Sequence, residues 1–292
     1  MKIVLSPLIL CAILLSCTPR KANEKYQNDI QGDWVTDFVK NDANKQFYIF
    51  SFRDSLCSFA YPSGIQSAFT IHDDTLDIFH HTVRDHNSTA PEKNYRFRIL
   101  RLDHSNLTLI PVGENTIGTF GTPENGTDPI LLKKITPKND LAIQRIGFYS
   151  GPCFGACPSM YMEIDSDGNM LFDGIRYTTK KGLFSGKIPT AAWQKIKDNI
   201  HNTDLEKLSK EYKARWTDDQ ACRIKIQTAD TTYETNVYGF DKEPVALRIL
   251  FRNLMEIYKS AGLQQDSTIV NKFAYPEFQQ SGFPTPPAAL GR

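Results

Sequence analysis

The chain has 292 residues, 34 Lys plus Arg, 33 Asp plus Glu and a formal net charge of +1, which is length enough for two ordinary domains of roughly 100 to 150 residues. A balance so close to neutral lacks the clustered basic excess that a nucleic-acid partner calls for. With 40% hydrophobic and 23% charged residues, 17 Gly and 16 Pro, a fibrous or wholly disordered chain is excluded.

Lys2 precedes an apolar run from Ile3 to Leu15 broken only by Ser6 and Pro7. A hydrocarbon core needs about 20 residues to span, so this shorter run reads as a signal peptide over residues 1–16. It ends in Leu14-Leu15-Ser16-Cys17, which resembles the lipobox of bacterial lipoproteins cleaved by signal peptidase II. The resemblance implies that Cys17 becomes the first residue and carries the lipid. Its thiol forms the thioether and the small Ser16 admits the peptidase. Two or more acyl chains hold a protein stably where one is marginal, at about 0.8 kcal/mol per buried methylene. The expected partner is therefore a membrane, reached through the anchor on Cys17. Thr18 stands where an Asp would retain such proteins at the inner membrane, so the expected location is the cell envelope, at the outer membrane facing the periplasm. Residues 17–29 are polar and read as a lipidated tether.

Residues 30–138 form the first expected domain. Apolar runs broken by turn residues place strands at Gly32 to Asp37, Gln46 to Phe52, Leu56 to Tyr61, Ser67 to Ile71, Thr75 to Phe79, Tyr95 to Leu102, Leu107 to Pro111 and Pro129 to Ile135, a mainly β meander or small barrel. Gly32-Asp33-Trp34 resembles the G-x-W that opens lipocalins. That likeness implies a lipocalin-like barrel with Trp34 closing its base and a mouth able to take a small apolar ligand. His72, His80, His81, His86 and His104 cluster in sequence without the spacing of a zinc site, so no metal ligand is assigned.

The second domain spans residues 141–262. Gly151-Pro152-Cys153-Phe154-Gly155-Ala156-Cys157-Pro158 resembles the G-x-C-F-G-x-C-P motif of an uncharacterised domain family found mainly in Bacteroidetes lipoproteins, and this implies no activity. Beyond it come a strand from Met160 to Ile164, an Asp167-Gly168 turn, and a strand ending at Gly174. Strand alternation puts Met160, Met162 and Ile164 on one face and Tyr161 on the other. Trp193, Ile196 and Ile200 form one face of a helix that Thr190 can cap. A second helix begins at Pro244, with Leu247, Leu250, Phe251, Leu254 and Tyr258 on its apolar side. Cys222 to Ile226 and Thr232 to Tyr238 read as paired strands. The expected fold is α+β: an antiparallel sheet with two helices on one face.

Cys57, Cys153, Cys157 and Cys222 remain in the mature chain, and export permits disulfides. Cys153 and Cys157 flank Gly155, so a tight bridge between them is the favoured reading. A redox pair would want Cys-x-x-Cys at a helix start, whereas here three residues intervene and a strand follows. Cys57 and Cys222 alternate with apolar residues and read as buried. Glu163, Asp165, Asp167 and Asp173 read as a solvated hairpin turn in place of a glycosidase pair or calcium loop. Asp54-Ser55-Leu56, Asp74-Thr75-Leu76, Asp230-Thr231-Thr232 and Asp266-Ser267-Thr268 resemble an O-glycosylation acceptor of Bacteroidetes envelope proteins. Residues 263–292, with Pro276, Pro284, Pro286 and Pro287, read as a tail that is mobile or laid on the domain. No G-x-S-x-G, Walker, H-E-x-x-H or G-x-G-x-x-G pattern occurs, so no catalytic residue and no cofactor are assigned. The expected role is non-catalytic, binding or structural. The alternatives are a carrier of a small apolar ligand and an enzyme of unrecognised type. The protein or small-molecule partner is not identified by the sequence.

Overall fold

A computed structural model describes residues 26–36, 48–59, 67–80, 93–120 and 128–280. The signal peptide, Cys17, the tether up to residue 25, His81, His86 and tail residues 281–292 lie outside the described residues. The chain divides into two compact units that succeed one another between Lys134 and Ile135.

The first unit is a closed barrel of eight strands in sequence order: β1 (Gly32–Thr36), β2 (Ile49–Arg53), β3 (Leu56–Phe59), β4 (Ser67–His72), β5 (Thr75–His80), β6 (Lys93–Leu102), β7 (Asn106–Val112) and β8 (Ile130–Lys134). Each expected strand has its counterpart, and β1 closes on β8 with Trp34 opposite Lys134 and Thr36 opposite Leu132. Alternation explains the inside and the outside. In β4, Ser67, Phe69 and Ile71 are buried while Ala68, Thr70 and His72 are exposed, the period of two that a strand imposes. Asp54 and Asp73 turn the β2–β3 and β4–β5 hairpins with φ of 53° and 52°, a left-handed conformation that Asp tolerates.

Two elements depart from the expectation. Residues 26–29 of the expected tether form a helical turn, and Ile30 behind it is buried in the barrel core. After β7 the chain forms a short helix, α1 (Glu114–Phe120). Its Thr116 hydroxyl accepts a hydrogen bond from the Arg96 N–H at 2.8 Å, and Phe120 enters the barrel. Phe120 lies 5.1 Å from Phe97, 5.2 Å from Tyr95 and 5.9 Å from Phe50, ring centre to ring centre. The interior here is a cluster of touching rings, whose large apolar areas dominate core energetics.

The second unit is built on one eight-stranded sheet, in the order β13-β15-β14-β9-β10-β11-β12-β16. Its strands are β9 (Ile143–Ser150), β10 (Ser159–Asp165), β11 (Asn169–Arg176), β12 (Gly182–Lys187), β13 (Glu211–Lys213), β14 (Ala221–Thr228), β15 (Thr232–Tyr238) and β16 (Gln264–Gln265). All pairings are antiparallel except β13 with β15, so the sheet is mixed at one edge. Helices α2 (Thr190–His201) and α3 (Val245–Ile257) pack on one face. There Met160, Met162, Ile164, Phe148 and Ile224 meet Trp193, Ile196, Leu250 and Leu254 in one core. Thr190 is the first residue of α2 and makes no side-chain cap; the N-cap position is held by Pro189. The fixed φ of proline suits a helix start and leaves the first turn without a side-chain acceptor.

The tail expected beyond Gly262 is packed through residue 280. It adds β16 at the sheet edge, a 3₁₀ turn (Ser267–Asn271) and a final helical turn, α4 (Glu277–Gln280). Ile269, Phe273 and Phe278 are buried against Tyr149 and Tyr161, on the face opposite the helices. Burying apolar side chains outweighs the ordering cost that a free tail would avoid.

Replacing Phe120 with Ala is expected to lower stability by about 3–5 kcal/mol, the range for a fully buried ring. Urea unfolding measures it, and a loss under ~1 kcal/mol would show that this ring does not close the barrel interior.

Candidate functional site

Several loops gather at one end of the second sheet, and strand register puts them there. Ser150 at the end of β9 pairs with Met160 of β10 and with Cys222 of β14, and Ser159 pairs with Arg176 at the end of β11. Neighbouring strands lie about 4.8 Å apart, so β14 to β11 spans about 14 Å. Three of the loops leaving this end, residues 151–158, 175–181 and 214–220, carry exposed rings, and a fourth, residues 239–244, leaves β15 beside Ala221.

The first of them is the cysteine motif. Cys153 and Cys157 are joined by a disulfide, with Cα atoms 5.6 Å apart. Beneath it lies the buried Gln220, whose amide N–H groups reach the Ser150 hydroxyl at 2.8 Å, the Pro158 carbonyl at 3.0 Å and the Gly151 carbonyl at 3.2 Å. The Ser150 hydroxyl in turn donates to Pro158, and the Phe154 N–H donates to the Asp218 carbonyl at 3.2 Å. Buried polar groups need such partners, and meeting that need fixes the loop. Its tip, Phe154, is 91% exposed.

The other two loops are similarly held. A Cβ at Gly174 would lie 1.8 Å from the Lys180 carbonyl oxygen, so only glycine lets the 175–181 loop fold back this closely. The Thr178 hydroxyl donates to that same carbonyl at 2.6 Å and the Thr179 N–H donates to the Tyr258 hydroxyl at 3.2 Å. In the third loop the Trp216 indole donates to Asp219 at 2.7 Å and the Asp219 N–H to the Tyr238 hydroxyl at 3.2 Å. Tyr177 and Asp218 hold φ of 54° and 71°, a conformation that costs a non-glycine residue free energy and that clusters at functional sites.

The outcome is an exposed aromatic rim. Ile175 at 49%, Tyr177 at 47% and Trp216 at 46% join Phe154, and Val270 is the one other exposed large apolar residue described in this unit. Arg176, Lys180, Lys181 and Arg215 stand in the same loops without an ion-pair partner among the described residues. The sequence motif located the disulfide; it carried no signal that Phe154 points outward.

The opposite face of the sheet carries a second constellation, centred on Glu163. Its carboxylate is buried and accepts from Arg145 at 3.0 Å, from the Ala274 and Tyr275 N–H groups at 2.9 and 2.8 Å, and from the Tyr161 hydroxyl. Burial first, then the bond and charge of Glu163, push the Tyr161 phenol far above its ordinary range. The Tyr275 ring lies on Gly147, where a Cβ would meet it at 2.6 Å, and its hydroxyl donates to Gln227 at 2.8 Å. Glu163 therefore does not belong to a solvated turn. Asp165 does: it accepts from the Asp167 and Asn169 N–H groups, both at 2.9 Å. With four donors on its carboxylate, Glu163 is a latch for the strap of residues 263–280 and offers no lone pair for acid–base work.

Trp34 is fully buried at the barrel, donating to the Ile30 carbonyl at 2.6 Å, with the Lys134 ammonium 5.1 Å from its ring centre. Cys57 and Cys222 are buried and stand outside any disulfide; burial pushes the Cys222 thiol up, which makes it a packing residue and a poor nucleophile. His72 and His104 are exposed at a strand end and a turn. Among the described residues no three His, Cys, Asp or Glu side chains converge to hold a metal ion. Asp54, Asp74, Asp230 and Asp266 of the Asp-Ser/Thr triplets all sit in turns or at the 3₁₀ cap. An open groove of about 460 Å³ runs past Leu208, Lys210, Tyr233 and Glu234, but Arg223 and Lys225 already hold the Glu234 carboxylate.

Titration of the unreduced mature chain should find the two thiols of Cys57 and Cys222 only after unfolding, while four would remove the bridge. Replacing Cys153 and Cys157 together with Ser should cost about 2 kcal/mol, the loop-entropy value for so small a ring. Glu163→Gln removes the charge that Arg145 pairs with and turns an N–H donor toward the N–H of either Ala274 or Tyr275, which should cost about 3 kcal/mol. Amide exchange at Ala274 and Tyr275 reads this directly, and unchanged protection would remove Glu163 as the latch.

Residues 144–258 match the model of a family described as a domain of unknown function (DUF6438). All three loops of the aromatic rim fall inside that span and the strap from residue 263 falls beyond it. No curated protein matches the chain.

Proposed function

We propose that this protein is a non-catalytic envelope lipoprotein, anchored through Cys17 at the outer membrane and facing the periplasm, whose C-terminal unit is a binding module that works through the rim of Phe154, Tyr177 and Trp216. The observation that carries the binding reading is the 91% exposure of Phe154 on a loop closed by a disulfide. Exposed apolar patches on soluble domains mark interaction sites, and rigid aromatic anchors lose little entropy when they bind. The anchor reading rests on Leu14-Leu15-Ser16-Cys17. The N-terminal unit we read as lipocalin-like, on the closed meander and on Gly32-Asp33-Trp34 at its first strand. Its part is bracing more than carriage, because an apolar ligand would need the interior that Phe50, Phe97 and Phe120 occupy at ring separations of 5.1 to 5.9 Å. An enzyme would need perturbed groups converging in a cleft, whereas Tyr161 and Cys222, both pushed up, are packed away from solvent.

Two measurements test the two halves. Cys17→Ser should abolish incorporation of labelled palmitate and release the protein from membranes; retention of label would end the anchor reading. Phe154→Ala should change unfolding free energy by no more than about 0.5 kcal/mol, the size of surface substitutions. A loss of several kcal/mol would make this residue part of the core and the binding reading would fall.

A further inference from the structure

We infer that the rim docks onto a lipid surface bearing anionic headgroups, with Phe154 entering the acyl boundary. This rests on the reading of the rim as a binding surface and names what it binds. Three features favour a bilayer over a groove-forming protein. Phe154 stands on a tip, not in a concavity, so almost all of its ring is available to an apolar medium. Trp216 and Tyr177 flank it half-exposed, as amphipathic rings do at the level of headgroups. Arg176, Lys180, Lys181 and Arg215 make no ion pair among the described residues, against Asp218 and Asp219 in the same loops; in the neighbouring 239–244 loop Lys242 offsets Asp241 and Arg248 holds Glu243, so this end of the sheet carries a net positive charge. Asp219 is moreover engaged by the Trp216 indole. Basic residues beside apolar anchors are what an anionic leaflet attracts, with a strength that falls as salt screens it.

The chain offers its own reporter. Of its tryptophans, Trp34 and Trp193 are buried and Trp216 is exposed. The mature full-length protein is mixed with vesicles of phosphatidylcholine, alone or with phosphatidylglycerol, carrying brominated acyl chains. Quenching of Trp216 is expected on the anionic vesicles, weak quenching on the neutral ones, and reversal by salt. Trp216→Phe should remove the signal, Phe154→Ala should weaken the response by about tenfold, and Lys180→Gln with Lys181→Gln by at least about tenfold. Protein that stays on vesicles through its anchor while Trp216 remains unquenched would overturn the inference and leave the anchor intact. Quenching in protein that carries no palmitate would support the inference and end the anchor reading. Should soluble polyglutamate shift the Trp216 emission while anionic vesicles do not, the rim would be a surface for acidic polypeptides: the lipid inference would be overturned and the binding reading kept. A Trp216 that responds to neither probe would overturn this inference.

Discussion

Where the chain leaves the second sheet is decided by the side chain of Gln220. Buried between β9 and β14, its amide serves the Ser150 hydroxyl and the carbonyls of Gly151 and Pro158, the points at which the cysteine loop departs and returns. The disulfide above closes a ring of only five residues, which restricts the unfolded chain by about 2 kcal/mol and by itself does not aim the loop. Gln220 supplies the aim, because a buried carbonyl left without a donor costs about 1–3 kcal/mol and, while Ser150 also serves Pro158, the Gly151 carbonyl takes its donor from Gln220. The exposure of Phe154 follows from this geometry.

The same sheet buries its two faces by different chemistry. Toward α2 and α3 the contact is apolar; toward the strap, rings alternate with charges. The strap end is clamped where Lys225 meets Glu277 at 2.7 Å and where Arg223 lies 4.5 Å from the Phe278 ring centre. The hydrogen bond from Lys225 holds the Glu277 carboxyl below its ordinary range. Burial works against the charge on Lys225, but Glu277 and Glu234 outweigh it and raise that amine. A depressed carboxyl stabilises the fold above its unfolded pKa and loses that contribution in acid; a raised amine does so below its own and loses it in strong base. The clamp is therefore at full strength across the neutral range, and acid loosens it first at Glu277.

Legibility in the sequence followed the range of the interactions. The eight barrel strands were readable because turn residues punctuate them and alternation needs only neighbours, and the Cys153–Cys157 bridge because its partners are four residues apart. Alternation also placed Tyr161 opposite Met160 and Met162. What that face met was not readable, since Glu163 bonds to Ala274 and Tyr275 from 111 and 112 residues away, and no local pattern marks a strand glutamate as a latch. Helix α1 was missed for a related reason. Glu114 to Phe120 includes two Thr, an Ile and a Gly, which are weak helix formers, and it is held by tertiary contacts at Thr116 and Phe120.

The two units leave few places for recognition along their strands. A closed barrel has no free edge. The sheet ends in β13, of three residues, and β16, of two, and edges so short are poor templates for adding a foreign strand. One sheet face is covered by helices and much of the other by the strap. Recognition is thereby left to loops at strand ends, the usual location of binding residues on a rigid scaffold. Of the described loops in this unit, those at the β9–β10 end combine backbone strain, aromatic exposure and cations outside any ion pair, three properties of a binding surface on one rigid sheet end.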